Sequence, residues 1–244
     1  MPFAIEVHDV CKAFQGAAGR LAVVEGARFA VAEGEFVAIV GPSGCGKTTL
    51  LNIIAGFERA DAGRVLVGGA EPRGPSPRAI VISQQGSVFP WLTVRGNLTF
   101  GLQGRADAAA LADRYAALVG LAGFEDAYAH ELSGGMVKRV EIARALIVKP
   151  DVLYMDEPLS ALDALTSLRM RTELLRIFAE ERHTCLLVTH NVEEAIHMAD
   201  RILVLSPRPA RVQAVFEVAE PQPRRISSPA LQALKDAILR ELGL

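Results

Sequence analysis

Aromatic side chains are scarce in this chain, at 6% of 244 residues with one Trp. That share does not build the stacking platforms on which single-stranded nucleic acids lie. Charge of one sign is missing as well: 26 Lys and Arg face 28 Asp and Glu, for a net charge of -2. Without a basic excess there is no electrostatic footprint for a phosphate backbone, so no nucleic-acid partner is expected. Cysteine is limited to Cys11, Cys45 and Cys185, far apart and without metal-ligand spacing. A disulfide framework is therefore excluded, and a reducing compartment is expected. No apolar run approaches the roughly 18–20 residues that span a bilayer. The longest, Phe36–Val40 and Cys185–Val188, have strand length. The opening MPFAIEVHDV lacks the basic start, apolar stretch and small-residue cleavage site of a signal peptide. The expectation is a soluble chain that reaches a membrane only through another subunit.

What is present is a sizeable apolar fraction, 50% of the residues, in a strand–loop–helix rhythm. Glu35–Val40 reads as a strand running into a Gly-rich loop, and Thr48–Ala55 as the helix that follows. Ala79–Ile82, Val152–Met155 and Cys185–Val188 are short Val/Ile/Leu-rich runs, as parallel strands covered on both faces require. Asp107–Val119 carries Leu111, Tyr115 and Leu118 at helical spacing, and Met136–Val148 reads as a second helix. This helical block sits between strands, as an inserted subdomain. Glu71–Arg78, with three prolines, is a loop. The end of the chain reads as an amphipathic helix with Leu231, Leu234, Ile238 and Leu242 on one side.

Gly41-Pro-Ser43-Gly44-Cys45-Gly46-Lys47-Thr48 matches G-x-x-x-x-G-K-[ST]. Gly41, Gly44 and Gly46 let the backbone bend tightly and turn its N–H groups inward, with Ser43 and Cys45 completing the loop. The helix behind it offers its positive end to phosphates. Lys47 suits the β- and γ-phosphates, the Thr48 hydroxyl suits Mg²⁺, and Thr49 suits the α-phosphate. Alone, this loop says nucleoside triphosphatase or kinase. Further along, Leu132-Ser133-Gly134-Gly135-Met136 precedes a helix. Ser133 can cap that helix, and the two glycines leave its N–H groups open to an anion. Val152-Leu-Tyr-Met-Asp156-Glu157-Pro158 ends an apolar strand in two adjacent carboxylates. Asp156 suits Mg²⁺, and Glu157 suits a general base for an attacking water. Ser160-Ala-Leu-Asp163 follows, and Leu186-Leu-Val-Thr-His190 delivers a histidine at another strand end.

In chain order, GPSGCGKTT, the Gln84 region, LSGGM, VLYMDEP, SALD and LLVTH resemble the ABC ATPase family over essentially the whole chain. The resemblance implies an α/β fold: a RecA-like P-loop NTPase core with an N-terminal antiparallel β subdomain and an inserted α-helical subdomain. It implies one ABC ATPase domain over 1–244. Residues 1–85 and 150–215 form the nucleotide-binding core, 86–149 the helical subdomain, and 216–244 a short tail. Lys47, Thr48 and Thr49 then hold ATP phosphates and Mg²⁺. Asp156 is the metal carboxylate and Glu157 the base. Gln84 contacts Mg²⁺ or the lytic water, and His190 contacts the γ-phosphate and positions water. Phe14 stands where an aromatic ring stacks on adenine. Asp163 crosses to a partner subunit, and Ser133 and Gly135 reach the γ-phosphate of ATP held by that partner. Two ATPase subunits, as a homodimer, thus close around two ATP. Four positions depart from the commonest pattern without removing a catalytic group: Met136, Asn191, Ser83 and Phe14. Cys45, near a helix N-terminus, reads either as an activated thiol whose alkylation blocks ATP binding or as an inert loop thiol.

Val88-Phe-Pro-Trp-Leu-Thr-Val94 and Ser206-Pro-Arg-Pro-Ala-Arg-Val212 resemble the nitrate/sulfonate/taurine importer ATPases. That implies integral membrane permease subunits, indirectly a solute-binding protein, and a peripheral place on the cytoplasmic face of a bacterial inner membrane. An ABC ATPase for lipid transport also fits LSGGM. A non-transport ABC ATPase usually carries paired domains or long inserts, which this chain lacks. A P-loop kinase would lack LSGGM and SALD.

Overall fold

The computed structural model describes residues 3–16, 19–84, 86–160, 162–180 and 183–244. The chain begins with β1 (Phe3–Gly16) and β2 (Gly19–Ala32), followed by β3 (Phe36–Val40) and α1 (Lys47–Ile54). Next come β4 (Ala62–Val67) and β5 (Ala79–Ile82). Three helices then occur in succession: α2 (Val94–Thr99), α3 (Ala108–Leu118) and α4 (Gly134–Ile147). β6 (Val152–Asp156), α5 (Ala164–Glu180), β7 (Thr184–Thr189) and α6 (Val192–Met198) resume the alternation. β8 (Arg201–Leu205), β9 (Val212–Glu217) and α7 (Pro229–Glu241) complete the described chain.

Two sheets result. β2-β1-β4 is antiparallel, with register shifts along β1. The larger sheet has the order β5-β6-β7-β3-β8-β9. Its first five strands are parallel, and β9 pairs antiparallel with β8 at the edge. Every residue of β3, β6 and β7 is buried, as expected for strands covered on both faces. β9 alternates between exposed and half-buried positions, the pattern of an edge strand.

Alternation along the strands divides the core into two. Ala38, Val40, Leu153 and Met155 face the helical side with α4 and α6. Val37, Ile39, Val152 and Tyr154 face α1 and the antiparallel sheet. The parallel strands therefore end together at one rim, where open α/β sheets bind ligands. α4 starts two residues before the expected Met136. The Ser133 hydroxyl accepts the Met136 N–H at 3.3 Å and so holds two helix-weak glycines in the first turn. Among the described residues, no helix is long and apolar enough to cross a membrane.

Candidate functional site

β3 lies in the interior of the large sheet and delivers the Gly41–Thr49 loop to its carboxyl rim. Gly44 has φ +71° and Gly46 φ +127°, backbone that L side chains rarely adopt. A Cβ at Gly46 would also meet the Val23 carbonyl at 2.8 Å. Gly46 caps α1 without a side-chain hydrogen bond, leaving the first N–H groups of that helix for an anion. Lys47 is buried along the loop, with Nζ donating to the Gly41 and Pro42 carbonyls at 2.8 and 2.9 Å.

β6 brings in the two carboxylates. Asp156 is only 5% exposed, and its Oδ1 has no partner among the described residues. Burial pushes its carboxyl up from the ordinary value. The Thr48 hydroxyl pulls it down, Glu157 adds to the rise, and Lys47 and Lys138 oppose it. A hydroxyl beside a buried carboxylate oxygen with no partner is a donor set that fits Mg²⁺ completed by phosphate oxygens. Glu157 sits at φ +48°, sparsely populated for a residue with a Cβ. Its N–H donates to the Val188 carbonyl at 2.8 Å, tying the turn to β7. The side chain is met from both sides. His190 Nδ1, just past β7, lies 3.0 Å from Oε1. Gln84 Nε2, just past β5, donates to Oε2 at 3.2 Å. Three strand ends thus converge on one carboxylate.

The phosphate loop, Gln84, Glu157 and His190 line a cleft of about 540 Å³, and buried Asp156 stands behind Thr48 and is not part of the lining. Ser43, Gly44, Gly46, Lys47, Thr48 and Thr49 form its floor, and Gln84, Glu157 and His190 one wall. Phe14, Leu21 and Val23 add an apolar side. The Phe14 ring is 41% exposed, with Lys12 Nζ 5.1 Å from its centroid. Lys12 is itself held by Glu58 and Asp61 at 2.8 and 3.4 Å. A second cleft, about 690 Å³, opens at the amino ends of the strands beside Gly34, Asp151 and Thr184. It gathers no comparable set of groups.

A phosphate loop, two carboxylates and a strand-end histidine at one sheet rim invite comparison with known proteins. A family model for the ABC transporter matches residues 24–160. The chain belongs to the ABC transporter family. An uncharacterised ABC transporter ATP-binding protein of Methanocaldococcus jannaschii is 40% identical over 99% of this chain and 95% of its own length. An aliphatic sulfonates import ATP-binding protein of Bacillus cereus is 38% identical, covering 97% of this chain and 95% of its own. A dimeric ATP-binding cassette solved in a post-hydrolysis state with ADP and Pi superposes with a TM-score of 0.79 at 26% identity. It covers 88% of this chain and 99% of the other. The expected architecture holds: a RecA-like P-loop core, an N-terminal antiparallel β subdomain and inserted helices. This chain is an ATP-binding, ATP-hydrolysing ABC subunit.

The other motif residues of this ABC ATPase lie apart from its own cleft. Ser133, Gly134 and Gly135 open α4 and do not line it. A Cβ at Gly134 would meet nothing within 4 Å. Asp163 caps α5, accepting the Thr166 N–H at 3.0 Å, and the Thr166 hydroxyl helps hold its carboxyl below the ordinary range. Ala161 of the SALD motif lies outside the described residues. α4 is joined to the Gln84 loop by a buried pair, Lys138 and Glu141 at 2.8 Å. Lys138 also donates to the Ser83 carbonyl at 2.6 Å, and Ser87 donates to Glu141 at 2.8 Å.

Cys45 corrects an expectation. Its side chain is 2% exposed and packs in the core beneath the loop, away from the cleft. Its N–H turns to the Pro42 carbonyl at 3.3 Å, and its thiol is shielded from reagents. In the native protein the partly exposed Cys11 should therefore label first with a maleimide, and Cys45 only after unfolding. Peptide mapping checks this, and rapid native labelling of Cys45 would contradict it.

Sequence reasoning missed Leu21, Val23 and Arg208 of the cleft wall, and of these Arg208 alone carries a charge. Arg208 lines it and donates from Nε and Nη2 to the Gly44 carbonyl, at 3.0 Å for Nε. Its segment served only as a marker of resemblance, because the partners stand 164 residues apart.

Proposed function

We propose that this ABC ATPase drives an importer. Two copies close around two ATP on the cytoplasmic face of a membrane, and the cargo is a small anion such as a sulfonate, nitrate or taurine. One observation carries the shared-site part. Lys47, Gln84, Glu157 and His190 surround one cleft, while Ser133–Gly135, a helix start open to an anion, stands outside it. A half-site of this kind is completed by the same helix of a second copy. The dimeric ADP-bound relative and the sulfonate-import relatives support the reading.

In this scheme Lys47 and the loop N–H groups hold the phosphates, and Phe14 offers a face to the base. Thr48 and Asp156 would hold Mg²⁺, which neutralises phosphate charge when bound. Glu157 takes a proton from the lytic water. His190 and Gln84, bonded to its two oxygens, set where that carboxylate points. The 86–149 segment carries α4 and turns as a unit against the core of 1–85 and 150–215, with 216–244 as a tail. Lys138 transmits the movement to the Gln84 loop.

The same loop leads to the surface that would meet permease helices. Phe89 packs on Phe100 with centroids 4.4 Å apart, and Arg144 lies 4.7 Å over the Phe89 ring. Trp91 beside them is 69% exposed. A rigid aromatic cluster with an Arg is the composition of an interface hot spot. Trp91→Ala should weaken co-purification with the integral membrane subunits at least roughly tenfold. ATPase activity of the isolated chain should be unchanged. Undiminished co-purification would remove this face from the account. A binding protein of the same system that takes only sugars or peptides would overturn the anion assignment.

A further inference from the structure

The Arg208 contact has a built scaffold behind it. Ser206 N–H donates to the Arg211 carbonyl at 3.0 Å, and the Ser206 hydroxyl accepts the Arg211 N–H at 3.0 Å. The resulting loop between β8 and β9 is fastened to β2. Ala210 N–H donates to the Val23 carbonyl at 2.8 Å, and Glu25 N–H donates to the Ala210 carbonyl at 3.0 Å. Arg211 pairs with Glu25 at 2.8 Å. β2 supplies Leu21 and Val23 to the cleft, so the loop carrying Arg208 is registered on the cleft's apolar wall. From there the guanidinium reaches the Gly44 oxygen with two nitrogens.

We propose that Arg208 is a positioning residue for the nucleotide. It clamps the peptide group between Gly44 and Cys45, and so holds the phosphate loop in its binding shape while adding a second cation to the cleft. The proposal rests on the reading of this cleft as the ATP site. A peptide plane is rigid, so fixing its oxygen fixes its N–H as well. The Cys45 N–H at the other end points to the Pro42 carbonyl at 3.3 Å. Pro42 also accepts Lys47 Nζ, so clamp, loop and lysine form one connected set. Gly44 has φ +71° and no side chain of its own to restrain it, so an external restraint lowers the ordering cost of phosphate binding. A guanidinium on the carbonyl also polarises the peptide and strengthens the Cys45 N–H bond to the Pro42 carbonyl that closes the loop. Both effects act on binding of nucleoside di- and triphosphates and leave the proton transfer at Glu157 alone.

The test compares wild type, Arg208→Ala, Arg208→Lys and Lys47→Ala, measuring ADP affinity by calorimetry and the KM and kcat of Mg-ATP hydrolysis. Arg208 is exposed, so Arg208→Ala should melt near the wild-type temperature without nucleotide. Arg208→Ala is expected to raise the ADP Kd and the ATP KM on the order of tenfold, with kcat at saturation within about twofold. Arg208→Lys should recover only part of the loss, because an ammonium restores charge and lacks the two-nitrogen fork. An unchanged Kd and KM in Arg208→Ala, or a fall in kcat at unchanged KM, would overturn the clamp. Full recovery in Arg208→Lys would overturn the fork and leave charge alone. Wild type that does not bind ADP would overturn the reading of the cleft itself. Binding lost in Lys47→Ala and kept in Arg208→Ala would overturn the role of Arg208 only.

Discussion

Replacing Glu157 by Gln is expected to lower ATP turnover by roughly 10²–10⁴-fold while leaving ATP binding intact. The carboxylate is bonded by both the β5-end and β7-end side chains, Gln84 at 3.2 Å and His190 at 3.0 Å. Its backbone, at φ +48° and tied to Val188, is held by groups the substitution does not touch. Gln keeps the size and a carbonyl acceptor but loses the proton-accepting charge. Lys47 and the loop glycines stay in place, so ATP should still load. With loading kept and hydrolysis lost, the ATP-bound dimer accumulates. Size-exclusion chromatography with light scattering should show the variant as a dimer in Mg-ATP and as a monomer without nucleotide. A variant that turns over at the wild-type rate would remove Glu157 from the base role.

Asp156→Asn should move activity and stability in opposite directions. Hydrolysis should fall at least about 100-fold, since a metal contact stabilises several kcal/mol of developing charge. Thermal stability without nucleotide should rise by on the order of 1 kcal/mol, or about 3 °C for a chain of this size. The reason is the burial of Asp156 with an unpartnered oxygen, which raises its carboxyl despite Thr48, Lys47 and Lys138. A carboxyl raised in the folded state binds its proton more tightly there than in the unfolded chain. Its favourable contribution is full below the unfolded value of 3.8 and is lost as pH rises through the higher folded value. The stability gap between variant and wild type should therefore be small near pH 4 and widen toward neutrality. Calorimetric melts across that window check it. A variant that melts lower than wild type at neutral pH would show that ionised Asp156 is stabilising as it stands.

Legibility in the sequence followed the range of the interactions. Gly41–Thr49, Asp156-Glu157 and Ser133–Gly135 are contiguous, and each needs residue types that few other purposes require together. The parallel strands β3, β6 and β7 were readable as unbroken apolar runs because both faces are covered, and β5 at the sheet edge kept such a run although three of its four residues are half-buried. β1 and β2 carry mixed, bulged patterns, and their register is set by pairing across the sheet. Side-chain direction inside a tight loop was also hidden: the Cys45 side chain turns into the core while Gly44 and Gly46 on either side line the cleft with backbone. Contacts across long separations left no local trace, as with Arg208 on Gly44 and Lys138 on Ser83. The pair Lys138–Glu141 stands at i,i+3 on one helix, a spacing that in sequence does not tell a buried pair from a surface one. Its burial comes from the packing of α4 against the Gln84 loop, where Lys138 bonds Ser83 and Glu141 bonds Ser87.

The most direct test of the shared-site account is the rate of Mg-ATP hydrolysis as a function of protein concentration. If Ser133–Gly135 of one copy complete the cleft of the other, the rate per subunit rises with concentration until the dimer saturates. A rate per subunit that stays constant from dilute to concentrated protein would mean each cleft is complete by itself, in contradiction to the account.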